Sequence, residues 1–450
     1  MMPANILFLS TSPVGTRVEE ILLKVIVQIV VIMAAARIFA TVFRWVGQPT
    51  VCGEIAAGLI LGPSLFGGLF PHLFERVFDT SVGPIFSVLS QIGLILLLFL
   101  IGLEFEFSHL RKHGHQALII SIAGMVLPFG FGLGVSHVLY PYVGAGINRM
   151  GFVLFIATAL SITALPILGR MLIEFNLNRT RLGSITISAA ALDDASGWII
   201  LALVTAIVRS NFKISAILLM VGETVGFALF MIVVARPLLI RWSRRTLQEN
   251  KGELSLTSLA VLLILIFISA AVTNLIGIFS IFGGFIMGAI LYDQHELCDA
   301  IRRRLRDFVT VFFLPIFFTY TGLRTDIGTM QGGFLWTLCG LVLMAGIVGK
   351  LAGCTIAANL SGFSRRESWI VGVLMNTRAL MALIAINIGY ELGLLPKSVF
   401  FMLVFMAVVT TFMTAPIVRR LIVKTELAPH FHASEFMRPA NGVVPAPAEH

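Results

Sequence analysis

Long apolar runs separated by short polar breaks set the pattern of the chain. The runs cover positions 21–43, 49–67, 84–103, 115–139, 151–172, 183–208, 214–240, 255–272, 275–292, 307–323, 333–359, 367–391 and 398–420. A helix needs about 20 apolar residues to cross a bilayer, and the runs reach or approach that length. They predict an all-α polytopic membrane protein with about 13 transmembrane helices. Strands of a membrane barrel would be about 10 residues long with strict alternation, and these runs are neither. The second run is short and rich in Gly and Pro, and the division between the eighth and ninth is weakly marked. The first follows a 20-residue start of mixed polarity without a small-residue cleavage site, so it reads as a span, not a signal peptide.

Composition agrees. Of 450 residues, 58% are hydrophobic and 12% charged, with a mean hydropathy of +0.97. Soluble domains carry about a quarter charged residues, and so much apolar surface cannot all be buried in a water-soluble particle. A soluble enzyme, a nucleic-acid binder and a disordered chain are thereby excluded. The net charge of +9 reflects where the basic residues fall. Counting span ends with their loops, 21 of the 32 follow odd-numbered spans, and only 7 follow even-numbered spans or precede the first. The positive-inside rule then puts the N-terminus outside and the C-terminus in the cytoplasm; a plasma (inner) membrane is the expected location. Cys52, Cys298, Cys339 and Cys354 are scattered, without metal-like spacing or a disulfide framework. No cofactor is expected.

Short strings recur in order. Ala57-Gly58-Leu59-Ile60-Leu61 in span 2 is similar to Met287-Gly288-Ala289-Ile290-Leu291 in span 9. Gly102-Leu103-Glu104 ends span 3 as Gly322-Leu323-Arg324 ends span 10. Thr163-Ala164-Leu165-Pro166 in span 5 corresponds to Thr377-Arg378-Ala379-Leu380 in span 12. The common order predicts two inverted six-helix repeats, spans 1–6 and 8–13, joined by span 7. Inverted repeats mark secondary transporters, whose sites lie near the midplane where helices break. Pro166 lacks an N–H and clashes with the turn before it, freeing carbonyls near Ser161 and Thr163 for a cation. A single proline can also be a simple kink. The polar string Asn376-Thr377-Arg378 at the matching position, with Asn387 and Gly389 beyond, favours two functional breaks.

Ionisable groups inside a membrane are expensive and few. Asp193 and Asp194 lie midway along span 6, Lys350 inside span 11 and Arg378 inside span 12. Lys24, Arg37, Glu54 and Glu223 read as interfacial or structural. Adjacent helical residues point about 100° apart, so the two Asp do different jobs. A carboxylate in apolar surroundings can hold a proton or a small hard cation, but hardly both, and competition for one group is already an exchange mechanism. Asp194, Ser161 and Thr163 supply the oxygens that Na⁺ or K⁺ prefers. Lys350 can pair with the other Asp and release it as ions bind, while Arg378 stays charged and neutralises a carboxylate or free carbonyls at the break. A buried salt-bridge set that only holds helices together is the competing reading.

These residues carry a resemblance. The string Ala159-Leu160-Ser161-Ile162-Thr163-Ala164-Leu165-Pro166, followed by Asp193-Asp194 and Trp198, resembles the cation:proton antiporter-2 family of Na⁺/H⁺ and K⁺/H⁺ exchangers. Gly53-Glu54-Ile55-Ala56-Ala57-Gly58, Gly62-Pro63-Ser64, Pro315-Ile316-Phe317-Phe318, Gly349-Lys350 and Asn376-Thr377-Arg378 extend it over residues 20–422. The resemblance implies a homodimer in the lipid bilayer and an ion-transport core that moves like an elevator, with two broken, crossing helices. It implies a dimerisation domain at 21–110 and 255–332, a core at 111–210 and 333–422, and a linker helix with a basic loop at 211–254. Residues 1–20 would be extracytoplasmic, and 423–450 a cytoplasmic tail, Pro-rich and disordered. Asp194 would be the main cation and proton carrier, Asp193 the partner of Lys350, and Thr163 the threonine of the first break. Ala379 stands where relatives often have Gly, and no Gly-x-Gly-x-x-Gly nucleotide domain follows the last span.

The partners expected are therefore a monovalent cation and protons, with no nucleic acid. The rival within transporters is a sodium-coupled organic-solute symporter on a related fold, which would not need an Asp pair with a Lys. An intramembrane aspartyl protease needs two Asp brought from separate helices to share a proton, and here they are adjacent. The chain reads as a transporter, not an enzyme.

Overall fold

The computed structural model describes residues 13–103, 110–144, 146–177, 180–209, 214–249, 253–423 and 425–429. Among these residues the regular structure is helical throughout. In chain order the helices are α1 (Pro13–Trp45), α2 (Thr50–Leu61), the short α3 (Phe66–Leu69) and α4 (Pro71–Val77), α5 (Gly83–Leu103), α6 (Leu110–Val143), α7 (Arg149–Ser161), α8 (Leu165–Glu174) and α9 (Arg181–Arg209). They continue as α10 (Ile214–Phe230), α11 (Arg236–Glu249), α12 (Leu256–Ile276), α13 (Ser280–Ala289), α14 (His295–Phe308), α15 (Leu314–Leu323), α16 (Gly333–Leu360), α17 (Arg365–Met375), α18 (Ala379–Glu391) and α19 (Lys397–Ile422).

Eleven described helical stretches are long and apolar enough to cross a membrane, and α7 and α13 are shorter apolar helices. The two short ones fall in the fifth and ninth expected spans. In the fifth the chain breaks after Ser161 and resumes helix at Leu165. Three sequence expectations need revision. The first helix starts at Pro13, inside the segment expected to precede it. Arg302, Arg303, Arg304 and Arg306, read as a loop, lie on α14, which runs through a π-helical turn (Val309–Phe313) into α15. Leu297, Cys298, Ile301 and Leu305 bury one side of α14 at helical spacing, so the helix continues beyond the apolar run while its arginines face outward. Arg241, Arg244 and Arg245 lie likewise on α11, joined to α10 through Met231–Ala235. Residues 1–12 and the tail from 430 onward lie outside the described residues.

Burial separates centre from periphery. In the most apolar 18-residue window of the α17–α18 stretch 94% of the residues are buried, against 6% in that of the stretch from Leu218 to Gln248. The broken pair is thus enclosed by other helices, and α10–α11 faces outward. Around the centre, α6 lies along α16, α7 and α9, and α19 covers α17 and α18. A second group pairs α2 with α15 and α5 with α13.

Two backbone-to-backbone crossings hold that second group. A Cβ added at Gly58 would lie 2.1 Å from the Thr319 carbonyl oxygen, and one at Gly322 2.5 Å from that of Ile55. One at Gly288 would meet the Phe99 oxygen at 2.1 Å, and one at Gly102 the Phe285 oxygen at 2.5 Å. Between membrane helices, small residues replace the missing hydrophobic drive by letting backbones pack closely. These four glycines are those of the recurring strings. Exchanging the two strings of each pair turns the α2–α15 crossing into the α13–α5 crossing.

At one end of α1, Lys24 bridges Glu20 at 2.9 Å and Asp79 at 3.1 Å, tying α1 to the turn before α5. Ser81, through its amide and hydroxyl, and then Lys24 hold the Asp79 carboxyl down at about 2. Because this value is below the ordinary 3.8, the tie is complete above the ordinary carboxylate range and is lost only as pH falls toward 2.

The crossings predict a sharp contrast. Gly322→Ala should destabilise the protein by about 1–3 kcal/mol, the usual cost of overpacking. Gly130→Ala, where an added Cβ has nothing within 4 Å, should stay near wild type. Thermal unfolding in detergent measures both, and equal melting temperatures would contradict the packing argument.

Candidate functional site

Two interrupted helices meet at the centre. α7 is capped by Asn148, whose side chain accepts the Gly151 N–H at 3.0 Å. α17 opens with a capping box in which Ser364 and Glu367 satisfy each other's backbone amides. α7 ends at Ser161, residues 162–164 are non-helical, and Pro166 falls in the first turn of α8, where a missing N–H costs least. α17 ends at Met375, and Asn376, Thr377 and Arg378 separate it from α18.

Every buried backbone group needs a partner, and the break shows where they went. In an unbroken helix Ala164 would donate to Leu160 O and Leu165 to Ser161 O. Instead the Ala164 N–H donates to Thr377 O across the crossing at 2.8 Å. The freed Leu160 carbonyl accepts from the Arg378 guanidinium, whose other arm donates to Gly346 O at 2.6 Å. The freed Ser161 carbonyl accepts from Lys350 Nζ at 2.7 Å. Two cations from outside the helix thus take the place of two amides. At the second break, Thr411 Oγ1 on α19 accepts the Arg378 N–H at 3.3 Å and the Ala379 N–H at 3.1 Å, capping α18 from a neighbouring helix.

Asp193 is saturated. Its Oδ2 accepts from Lys350 Nζ at 2.6 Å and from the Thr163 hydroxyl at 2.7 Å, and its Oδ1 from the Ser121 hydroxyl at 2.7 Å. Thr163 also lies 3.1 Å from Met375 O, so its one proton is shared between the two acceptors. Asp193, Asp194, Lys350, Arg378, Ser161 and Thr163 are all fully buried. A buried ion pair survives only where its charges are paired and the remaining lone pairs satisfied, which is the situation at Asp193.

Asp194 is the opposite case. Both of its carboxylate oxygens are buried with no hydrogen-bond partner. The Leu165 N–H at the start of α8 lies near enough to act on the carboxylate electrostatically, though outside hydrogen-bonding geometry. Asn376 Oδ1, on the second break, and Trp198 Nε1, one turn along α9, are also buried without partners. A bare carboxylate in such surroundings needs a positive companion, either a proton or a cation.

The structure therefore brings together all six residues singled out from the sequence, with a division of labour. Thr163 serves Asp193. The Ser161 hydroxyl turns back to Thr158 O at 2.9 Å, so only the Ser161 carbonyl faces the charges. Arg378 binds carbonyls rather than a carboxylate. Ser121 and Thr411 were not singled out. A serine or threonine on an apolar helix gives no sign in sequence of which neighbour it will meet. Among the described residues, no group of three or more His, Cys, Asp and Glu gathers for a metal.

Apolar helices around enclosed, paired charges define a multi-pass integral membrane protein. The family model for "Sodium/hydrogen exchanger, transmembrane" matches residues 30–424, and the chain belongs to this family of cation/proton antiporters. It is 39% identical over 401 residues to the Na(+)/H(+) antiporter NhaS4 of Synechocystis, covering 88% of this chain and 97% of that protein. It is 36% identical to Cation/H(+) antiporter 19 of Arabidopsis thaliana and 33% identical to K(+)/H(+) antiporter 1 of Saccharomyces cerevisiae, over 88% and 83% of this chain. It spans about half the length of those two relatives (49% and 44%). Its fold is similar to the solved sodium proton antiporter MjNhaP1 of Methanocaldococcus jannaschii, with a TM-score of 0.62 at 14% identity, covering 92% of this chain and all of that one.

Removing one partner of the buried pair should be costly. Lys350→Ala leaves Asp193 buried without its cation, an expected loss of about 3–5 kcal/mol. Adding Asp193→Ala should restore part of it. Thermal unfolding of the two variants in detergent tests this; a double variant no more stable than Lys350→Ala alone would refute it.

Proposed function

We propose that the protein exchanges protons for a monovalent cation, Na⁺ or K⁺, with Asp194 as the shared site. The observation that carries this reading is the buried Asp194 carboxylate without a partner, one residue from a saturated Asp193. Protonated, Asp194 is neutral and needs no companion. Deprotonated, it takes a cation in place of the proton. One proton leaves for each cation bound, so this group alone exchanges one for one.

Asp193, Lys350 and Thr163 hold the first break in shape, and Arg378 holds it against the second. A second proton per cation would have to come from Lys350, after its bond to Asp193 breaks. The Asn376 amide oxygen on the second break, buried without a partner, is a further oxygen of the kind a hard cation prefers. Names of relatives include both Na(+)/H(+) and K(+)/H(+) antiporters, which supports monovalent cations as the class.

The same reading assigns α1–α5 and α12–α15 to a fixed dimerisation domain and α6–α9 with α16–α19 to a moving core, working as a homodimer by elevator-type movement. The contrast between the glycine-locked group and the charge-linked centre supports that division. The positive-inside bias supports a cytoplasmic C-terminus. A sodium-coupled organic-solute symporter is disfavoured, because it would not need a buried Asp pair with a Lys, and here Lys350 holds Asp193 at 2.6 Å beside Asp194.

The test is transport in proteoliposomes under an imposed pH gradient. Wild type should move protons on addition of Na⁺ or K⁺, and Asp194→Asn should not. Proton movement in Asp194→Asn equal to wild type would sink the assignment. Running the assay with the membrane potential clamped separates one proton per cation from two.

A further inference from the structure

The face opposite the arginine-rich α11 and α14 holds a second polar cluster, remote from the Asp pair. Arg324, just past α15, lies 3.6 Å from Glu391, the last residue of α18. Its guanidinium sits over both Tyr320 of α15 and Tyr390 of α18, at 5.1 and 5.2 Å from the ring centroids. Gln91 of α5 donates to the other Glu391 oxygen at 3.0 Å. One turn deeper, Asn387 of α18 donates to Thr321 of α15 at 3.1 Å. These bonds surround a cavity of about 30 Å³, room for a water or two. Ser87, Ser90, Gln91, Thr321, Asn387 and Glu391 give it a polar lining, and the Ser90 hydroxyl is buried there without a partner.

We propose that Arg324, Glu391 and Gln91, with Asn387 and Thr321 beneath them, are the latch that closes the path to Asp194 from this face. α18 begins directly after Arg378 and is a straight 13-residue helix, so its two ends, about 20 Å apart, move together. α5 and α15 belong to the group locked by the glycine crossings. Every bond of the cluster joins α18 to α5 or α15. An ion approaching from this face has to pass between those helices, and separating them breaks the ion pair, the Gln91 bond and the Asn387 bond at once. Arg324 loses Tyr390 in the same movement and keeps Tyr320. The polar cavity is then the narrow end of the path, where hydroxyls and amides can replace part of an ion's hydration shell. These are positioning residues that set which face is open. The proposal rests on the exchange reading above but does not depend on which ion is carried.

The experiment is cysteine accessibility. The four native cysteines are buried, so wild type serves as the unlabelled control. Ser90→Cys places a thiol in the cavity, outside the latch. A membrane-impermeant methanethiosulfonate applied from this face should label it slowly. Adding Glu391→Gln, which removes the charge and keeps the shape, should speed labelling on the order of twofold to fivefold, as expected when one partly exposed pair is lost. The charge swap Arg324→Glu with Glu391→Arg should return the rate toward the starting value. Labelling unchanged by Glu391→Gln, or a swap as fast as Glu391→Gln, would overturn the latch. Labelling needs no turnover, so the outcome stands apart from proteoliposome exchange. A wild type that moves no protons refutes the exchange reading, whereas a wild type that exchanges with indifferent labelling refutes only the latch.

Discussion

The contact between Lys350 and Asp193 is the one on which the centre of this protein depends. It is a single short bond, 2.6 Å, between two fully buried charges. Three structural elements converge on it. Lys350 comes from α16 and Asp193 from α9, and the Lys350 ammonium also takes the Ser161 carbonyl that the broken fifth span leaves open. Without the break, Lys350 would have no second acceptor. Without Lys350, the break would carry an orphan carbonyl in an apolar interior, an expensive defect. The charge and the break stabilise each other, and neither is tolerable alone. Thr163 joins them further, because its hydroxyl binds Asp193 from within the broken segment and reaches the second break at Met375 O.

This mutual dependence explains how a polar centre sits inside so apolar a chain. The surrounding helices contribute little polarity of their own. They contribute single hydroxyls at the points of need, Ser121 to Asp193 and Thr411 to the second break. Elsewhere, adhesion comes from backbone proximity. The Gly58–Gly322 and Gly102–Gly288 crossings bring α2 against α15 and α5 against α13 at backbone contact, and the Thr319 hydroxyl adds one bond across the first, to Glu54 O at 3.1 Å. The molecule thus uses two kinds of adhesion. Glycine packing is local and geometrically unforgiving, because a single methyl group has no room. The bonds of the centre are directional and can be remade with new partners. That difference is what the proposed division into a fixed and a moving part would use.

Much of this was legible in the sequence, for identifiable reasons. The spans were legible because bilayer thickness imposes a length on apolar runs. Asp193, Asp194, Lys350 and Arg378 stood out because charge inside such runs is rare. The recurring glycine strings were visible, although their purpose, contact between the strings, was not. Helix extent was misjudged where the bilayer stops constraining it. α14 keeps Leu297, Ile301 and Leu305 on its buried side, and charge alone made its arginines look like a loop. Ser121, Thr411 and the Arg324–Glu391 cluster were not legible as a set, since each depends on which residues of distant helices face one another.

The two aspartates show how far helix geometry alone separates function from structure. Neighbours on α9, they are both fully buried, yet one has three hydrogen-bond donors and the other none. The difference is the angle of about 100° between successive helical side chains. It aims Asp193 toward α6, α16 and the first break, where Ser121, Lys350 and Thr163 converge. It leaves Asp194 near the first free amide of α8, where the field is favourable to negative charge and no group completes the bond. Under the proposed exchange, a site that holds an ion and then releases it cannot be saturated by the protein. The donors that converge on Asp193 leave Asp194 without one.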